Sequence, residues 1–186
     1  MSNDAAPKIL FQLTGSIACF KACELISRLV KRGTAVETVA SEGALRFVGA
    51  ATLEGLTGRR PFTDLYEAGR TMDHIRLARW ADVALLCPAT ANSLNRLAAG
   101  LADDAIGALF LAWEIASKPW LIAPAMNATM WDHPATRESR ERLAGFGARI
   151  LPVGDGRLAC GEHGEGRLLE VDELEKHVLQ ALEARR

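Results

Sequence analysis

Short runs of apolar residues alternate along this chain with longer segments whose apolar positions recur at helical spacing. Five runs of four to seven residues predict buried strands, at 8–14, 35–40, 82–87, 120–123 and 149–153. The helical spacing predicts helices at 17–32, 42–50, 90–99, 103–116, 135–146 and 172–185, with Asp172 capping the last of them. A stretch punctuated by glycine at 55–71 has no clear period, and His74 follows it outside any strongly periodic element.

The strands predicted from these runs are apolar throughout instead of alternating with polar residues. Such strands are typical of a parallel sheet that is covered by helices on both faces. Together with the intervening helices they predict one α/β domain over residues 1–186, a doubly wound parallel sheet in a Rossmann-like, flavodoxin-like three-layer sandwich. Ligands of such sheets bind beyond the carboxyl ends of the strands, so the turns at those ends are where chemistry is expected.

Composition and charge narrow the class of protein. The 186 residues are 49% hydrophobic, and 22 basic residues against 23 acidic ones give a formal net charge of −1, which predicts no nucleic-acid partner. The first residues are polar and no apolar run approaches the ~20 residues that span a bilayer, so a cytoplasmic protein with no membrane partner and reduced thiols is expected. Residues 1–7 are expected to be flexible. Cys19, Cys23 and Cys87 are expected to be packing residues, which leaves Cys160 as the candidate for chemistry.

The turn after the first strand has the composition of an anion site. Gly15, Ser16 and Ile17 lie between a strand and a helix, where backbone N–H groups and the helix dipole favour negative charge. Ser41 closes the second strand at the place where a dinucleotide site usually carries an acidic residue. A mononucleotide phosphate held by Ser16 and Ser41 is therefore the favoured interpretation. Glu42, one position later, could still contact the ribose of a dinucleotide. The alternative to phosphate binding at the Gly15–Ser16 turn is a simple helix cap.

The turns after the third and fourth strands offer polar groups beside small residues. Thr90, Ala91 and Asn92 allow close approach to a flat ligand, although Thr90 also suits a helix cap. After the fourth strand, Asn127 can orient a carboxylate, and Met130 can form an apolar wall together with a neighbouring indole. The alternative is that the latter side chains only fill the gap between sheet and helix.

Two further residues suggest proton chemistry. His74 stands in a polar stretch, where it is either a base or a structural hydrogen-bonding residue. Residues 155–168 place glycines around Cys160, which predicts a mobile loop that covers a ligand and presents a thiol. No second cysteine or histidine pair completes a zinc site, so no metal is predicted.

In their order and spacing, these motifs resemble the homo-oligomeric flavin-containing cysteine decarboxylase family, and within it the phosphopantothenoylcysteine decarboxylases of coenzyme A biosynthesis. The resemblance covers residues 8 to about 181 and is most specific at 124–131 and around Cys160. It implies FMN as the cofactor. The cofactor-binding residues that it implies are Gly15, Ser16, Ile17, Ser41, Thr90, Ala91 and Asn92.

The resemblance also implies the reaction. 4′-Phospho-N-pantothenoylcysteine would lose carbon dioxide through a thioaldehyde and an enethiol to give 4′-phosphopantetheine. His74 would be the base for the substrate thiol, Asn127 would hold the carboxylate and Cys160 would donate the final proton. Met130, Gly166 and Arg167 would complete the substrate site.

Assembly and alternatives follow from the same resemblance. It implies homotrimers or dodecamers with FMN at the subunit interface, and a separate ligase partner, since no ligase domain follows the last predicted helix. Phe20 and Leu168 depart from the tyrosine and methionine that the family usually has at these positions. Three other functions stay open: a peptidyl-cysteine oxidative decarboxylase that stops at the enethiol, a flavin prenyltransferase, and a non-catalytic regulatory flavoprotein.

Overall fold

A computed structural model of the protein describes residues 6–157, 161 and 163–184. Its central sheet has five parallel strands in the order β2-β1-β3-β4-β5. These strands are β1 (Lys8–Leu13), β2 (Ala35–Ala40), β3 (Val83–Ala89), β4 (Trp120–Pro124) and β5 (Arg149–Ile150). The predicted doubly wound, flavodoxin-like sheet is confirmed, and its topological switch point lies between β1 and β3.

Helices cover both faces of this sheet. They are α1 (Cys19–Lys31), α2 (Glu42–Leu45), α3 (Ala50–Thr57), α4 (Asp73–Trp80), α5 (Ala91–Ala98), α6 (Ala105–Ala112), α7 (Ala128–Asp132), α8 (Pro134–Phe146) and α9 (Val171–Glu183). One hydrophobic cluster joins the sheet to α1, α3 and α9, and a second joins it to α4, α5, α6 and α8. The resulting three layers explain why the strands are apolar on both faces. No helix in the described part of the chain is long and apolar enough to cross a membrane.

β1 shows how a continuous apolar run serves both layers. Ile9, Phe11 and Leu13 point into the cluster around α1, whereas Leu10 points into the opposite one. Gln12 interrupts the run: its side chain is fully buried, and neither its amide nitrogen nor its amide oxygen has a hydrogen-bond partner among the described residues.

Several predicted helix boundaries are wrong, and helix caps give the reason. The helix predicted at 42–50 is two helices, because Ser41 caps α2 through its hydroxyl and Gly49 begins α3, which extends into the stretch predicted to lack a pattern. The helix predicted at 103–116 is the shorter α6, capped by Asp104. Asp172 is not the cap of the last helix, since Glu170, two residues earlier, is the cap and forms a reciprocal capping box with Glu173.

Several segments besides α7 have secondary structure that the sequence pattern did not predict. β3 continues through Pro88, after a cis peptide bond, to Ala89. His74 is not outside a periodic element but in the first turn of α4, a helix so short that only two of its residues are buried. Part of the loop predicted at 155–168 is an antiparallel hairpin of β6 (Gly154–Arg157) and β7 (His163–Arg167), whose glycine-rich, charged composition hides the strand signal.

Candidate functional site

A cavity of about 690 Å³ opens at the carboxyl ends of the strands, at the switch point, and is called the switch-point cavity below. Gly15 follows β1 and Ser41 follows β2, and both line it. Thr90 and Asn92, which follow β3, line it as well. Four of the seven predicted cofactor residues therefore meet in one concave site, at the position expected for ligands of such sheets.

The end of this cavity nearest β2 is a tight cradle of main chain. Gly15 and Gly43 are packed backbone against backbone, so that a Cβ atom on Gly15 would lie 3.0 Å from the carbonyl carbon of Gly43. The Ser41 hydroxyl accepts a hydrogen bond of 3.1 Å from the Ala44 nitrogen, which leaves its proton free to donate. Backbone approach and a hydroxyl donor are features that suit a phosphate group.

Hydrogen bonds tie the neighbouring strand ends together. The Thr14 hydroxyl donates to the Pro88 carbonyl at 2.6 Å and accepts from the Thr90 nitrogen at 3.1 Å. The Thr90 hydroxyl accepts from the Ser93 nitrogen at 3.3 Å, so Thr90 both caps α5 and lines the cavity. The helix cap at Thr90 is therefore confirmed, whereas its contact with a flat ligand stays a prediction. Ala91 is buried and is not among the lining residues.

The far wall of the switch-point cavity comes from residues that the sequence did not single out. Residues 63–66 follow Phe62, which forms a bridge with Val39 of β2. They line the cavity and contribute the exposed ring of Tyr66. Arg96 lines the same wall and pairs with Asp103. Asp103 and Asp104 line the cavity at the start of α6, and an aspartate cap is a sequence signal that could have indicated this helix start. No local sequence signal could have placed residues 63–66 at the cavity.

A second cavity of about 430 Å³, called the hairpin cavity below, lies between the start of α1, the segment after β4 and the β6–β7 hairpin. All four predicted substrate residues line it, namely Asn127, Met130, Gly166 and Arg167. Met130 lines both cavities, which are therefore adjacent. Ser16 and Ile17, predicted to hold the cofactor, line the hairpin cavity and not the switch-point cavity.

Asn127 is oriented by its own helix. Its side-chain oxygen accepts a hydrogen bond of 2.9 Å from the Met130 nitrogen and so caps α7. The amide NH2 group is left as the free end of the side chain, and it can only donate. A carboxylate accepts such hydrogen bonds, so the geometry supports the role expected for Asn127.

The hairpin is pinned to the segment that carries Asn127. The Met126 nitrogen donates to the Gly166 carbonyl at 2.9 Å. Gly166 has a φ of +117°, and a Cβ atom there would lie 2.5 Å from the Met126 carbonyl oxygen. Only glycine fits this contact, which sets the distance between β7 and Asn127.

Positive charge surrounds the hairpin cavity. Lys21 and Arg167 both line it, and both pair with Glu170, at 2.9 and 2.7 Å. The hydrogen bond from Lys21 holds the pKa of the Glu170 carboxyl below its ordinary value. One carboxylate is thus shared between two cations, and the cavity favours anionic ligands.

The two residues predicted for proton transfer are His74 and Cys160, and only His74 lies within the described residues. His74 lines neither of them in a single copy of the chain, and its half-buried ring has no hydrogen-bond partner for Nδ1 within the described residues. Asp73 beside it pairs with Arg70 and Arg76, at 2.8 and 2.9 Å. Cys160 lies outside the described residues.

The other cysteines behave as expected for packing residues. Cys19 and Cys87 are fully buried, and Cys23 packs against the core from its edge. Burial raises the pKa of both the Cys19 and the Cys87 thiol, so neither forms a thiolate readily.

Residues 1–183 match the family model described as Flavoprotein. The chain belongs to this flavoprotein family. The flavoprotein is also similar to the coenzyme A biosynthesis bifunctional protein CoaBC of Mycolicibacterium smegmatis, 41% identical over 91% of this chain and 40% of the relative's length. CoaBC of Vibrio cholerae is 41% identical over 95% of this chain and 44% of its own length. The chain therefore spans less than half the length of these relatives.

Solved structures share the fold over almost the whole flavoprotein chain. A PPC decarboxylase mutant complexed with pantothenoylaminoethenethiol has a TM-score of 0.84 and 29% identity, covering 96% of this chain and all of that one. The FMN-dependent cysteine decarboxylase SpaF has a TM-score of 0.80 and 30% identity, covering 96% of this chain and 97% of its own. The FMN-binding protein AtHal3 has a TM-score of 0.81 and 29% identity, covering 97% and 98%. The resemblance drawn from the sequence motifs is confirmed.

Proposed function

We propose that this flavoprotein uses FMN to decarboxylate 4′-phospho-N-pantothenoylcysteine to 4′-phosphopantetheine. The observation that carries the proposal is the pair of adjacent cavities joined at Met130. One has a backbone cradle for a phosphate, and the other has an amide donor for a carboxylate within a basic wall. The similarity to PPC decarboxylase and to coenzyme A biosynthesis proteins supports the same substrate.

The residues of the switch-point cavity fit FMN. Gly15 and Ser41 hold its phosphate, while Thr90 and Asn92 face the remainder of the cofactor. The saturated carbon beside the substrate carboxylate cannot accept the electrons that carbon dioxide leaves behind. When bound, FMN supplies a reversible acceptor for two electrons, so that the substrate can first be oxidised to a form that accepts them. The FMN-dependent and FMN-binding neighbours support this choice of cofactor.

The chain's own residues bind the substrate and move its protons. The Asn127 amide orients the carboxylate that leaves, and Met130 forms the wall between the two cavities. His74 takes the proton of the substrate thiol, and Cys160 supplies a proton to the enethiol that remains after carbon dioxide has left. The substrate is first oxidised and finally reduced, so the complete reaction consumes no external electron donor.

His74 requires a second copy of the chain for this role. It lies on α4, and Met72 just before this helix and Trp80 at its end line an exposed groove of about 490 Å³. A homotrimer, and four trimers in a dodecamer, would bring α4 of one copy to the cavities of the next. Co-expression of two inactive variants, His74→Asn and Asn127→Ala, should restore part of the activity. Mixed assemblies without activity would contradict a shared site.

The proposal also covers partners and compartment. The CoaBC relatives are bifunctional, which supports a ligase that supplies the cysteine conjugate beside this decarboxylase. Whether that ligase belongs to a separate chain is tested by assaying this chain alone for ligation. We place the reaction in the cytoplasm, and localisation of the tagged protein tests this.

Product analysis of two variants tests the mechanism. Cys160→Ser should still release carbon dioxide but accumulate an enethiol that absorbs in the near ultraviolet, whereas His74→Asn should bind FMN and release no carbon dioxide. Normal amounts of 4′-phosphopantetheine from Cys160→Ser would contradict its role as proton donor. Accumulation of enethiol by the unmodified protein would favour an oxidative decarboxylase instead.

A further inference from the structure

Arg157, at the end of β6, lines the hairpin cavity, and its guanidinium has no charge partner within the described part of the chain. Lys21 and Arg167 line the same cavity, but both are paired with Glu170. Over residues 6–157, 161 and 163–184, no carboxylate lies within ion-pair distance of the Arg157 guanidinium. It is an exposed cation on the rim of a cavity whose other cations are partly neutralised.

The hairpin holds the two guanidinium groups on the same side of the cavity. Gly156 lies opposite Gly164 in the strand pairing, and a Cβ atom on Gly156 would lie 3.5 Å from Nη1 of Arg167. The guanidinium of Arg167 therefore lies against the main chain of the residue next to Arg157. Both charges belong to one antiparallel strand pair, which is held to Met126 by the hydrogen bond at Gly166.

The rest of the cavity separates this rim from the carboxylate site. The exposed side chains of Ile17 and Phe20, at the start of α1, line it as apolar surface. Asn127 lines it with its amide donor. The cavity thus offers a donor for a carboxylate, an apolar wall and a cation that is unpaired among the described residues, which suits an elongated ligand with an anion at each end.

We infer that Arg157 binds the terminal phosphate of the substrate and selects phosphorylated over unphosphorylated pantothenoylcysteine. The inference rests on the proposed function. The planar guanidinium can place two parallel N–H groups on a phosphate, which a lysine ammonium cannot do. The phosphate lies far from the bond that breaks, so its contact should lower KM and leave kcat nearly unchanged.

The test compares two substrates in four proteins. Carbon dioxide release from phosphopantothenoylcysteine and from pantothenoylcysteine is measured for the FMN-loaded unmodified protein, Arg157→Gln, Arg157→Lys and Arg137→Gln. Arg137 is an exposed arginine on α8 that lines neither cavity, so its variant controls for loss of surface charge. The flavin absorption spectrum of each variant reports whether the cofactor site is intact.

Arg157→Gln should lower kcat/KM for the phosphorylated substrate about 10- to 100-fold, since a charge-assisted contact to phosphate is lost. The same variant should leave kcat/KM for the unphosphorylated substrate unchanged, Arg157→Lys should restore part of the preference, and Arg137→Gln should retain all of it. Equal losses on both substrates, or an unchanged ratio, would refute the role of Arg157 while leaving the proposed function standing. No carbon dioxide from either substrate in the unmodified protein would refute the proposed function, and the inference with it.

Discussion

Replacement of Lys118 should loosen the helix that carries His74. The Lys118 side chain is 8% exposed, and its ammonium donates to the carbonyl oxygens of Ala78, Arg79 and Ala81, at 3.0, 3.1 and 2.9 Å. These carbonyls lie at the end of α4, where no further turn of helix can satisfy them. The positive charge also complements the negative end of the helix dipole.

The size of the effect follows from these contacts. A hydrogen bond to a charged group contributes about 1.5–3 kcal/mol, but the three share one ammonium group, and water can replace it at the exposed Arg79. The carbonyls of Ala78 and Ala81 are in buried residues and would each lose their partner. Lys118→Met keeps the length of the side chain, so we expect it to lower the free energy of unfolding by about 3 kcal/mol. For a chain of this length the midpoint of thermal unfolding should fall by about 6–12 °C.

Urea unfolding and thermal unfolding at one fixed protein concentration measure this effect, since the stability of the proposed assembly would depend on concentration. Lys176→Met is the matched control, because Lys176 is exposed on α9 and its replacement should change stability by less than about 0.5 kcal/mol. Hydrogen exchange should show faster opening of α4 in Lys118→Met. A Lys118→Met protein as stable as the control would refute the argument that this ammonium holds the end of α4.

Three further changes test the site and the core. Gly166→Ala should raise KM for the substrate at least tenfold with FMN still bound, because the new Cβ atom meets the Met126 carbonyl; an unchanged KM would contradict the pinned hairpin. Gln12→Leu should raise the free energy of unfolding by about 1 kcal/mol in urea, because it removes a buried amide without partners in the described chain, and a lower urea midpoint would contradict this. Arg76 and then Arg70 lower the pKa of the Asp73 carboxyl, so its stabilising effect is present above the unfolded-state pKa of about 3.9 and is lost as the pH falls below it. Asp73→Asn should therefore lose less stability than the unmodified protein between about pH 5 and pH 3, and parallel pH profiles would contradict that.

The layered fold was predictable because its strands are buried on both faces. β1 and β3 are apolar over almost their whole length, so each run identified a central strand without knowledge of its neighbours. Helix ends were less predictable. Gly49, for example, is the cap of α3 only because α2 ends before it, and the apolar spacing alone does not show that end. The start of α9 shows the difficulty. Aspartate is a common helix cap, so Asp172 was predicted, but Glu170 caps the helix through its reciprocal hydrogen bonds with Glu173.

Parts of the site that follow strand ends were predictable, and parts set by distant packing were not. Ser41 and Thr90 come directly after strands, and parallel strands bring their ends to one edge. Tyr66 and Arg157 reach the cavities through a loop and a hairpin whose positions depend on long-range contacts. His74 lines neither cavity in one chain, and local sequence patterns carry no signal for the proposed assembly that would bring it to the site.

The most direct test of the central claim is the balance of products without an added electron donor. The FMN-loaded protein is incubated with phosphopantothenoylcysteine, and carbon dioxide and 4′-phosphopantetheine are both quantified. Equal amounts of the two products are expected over many turnovers, with the flavin oxidised at the end. Absence of carbon dioxide, or its release with an enethiol as the final product, would contradict it.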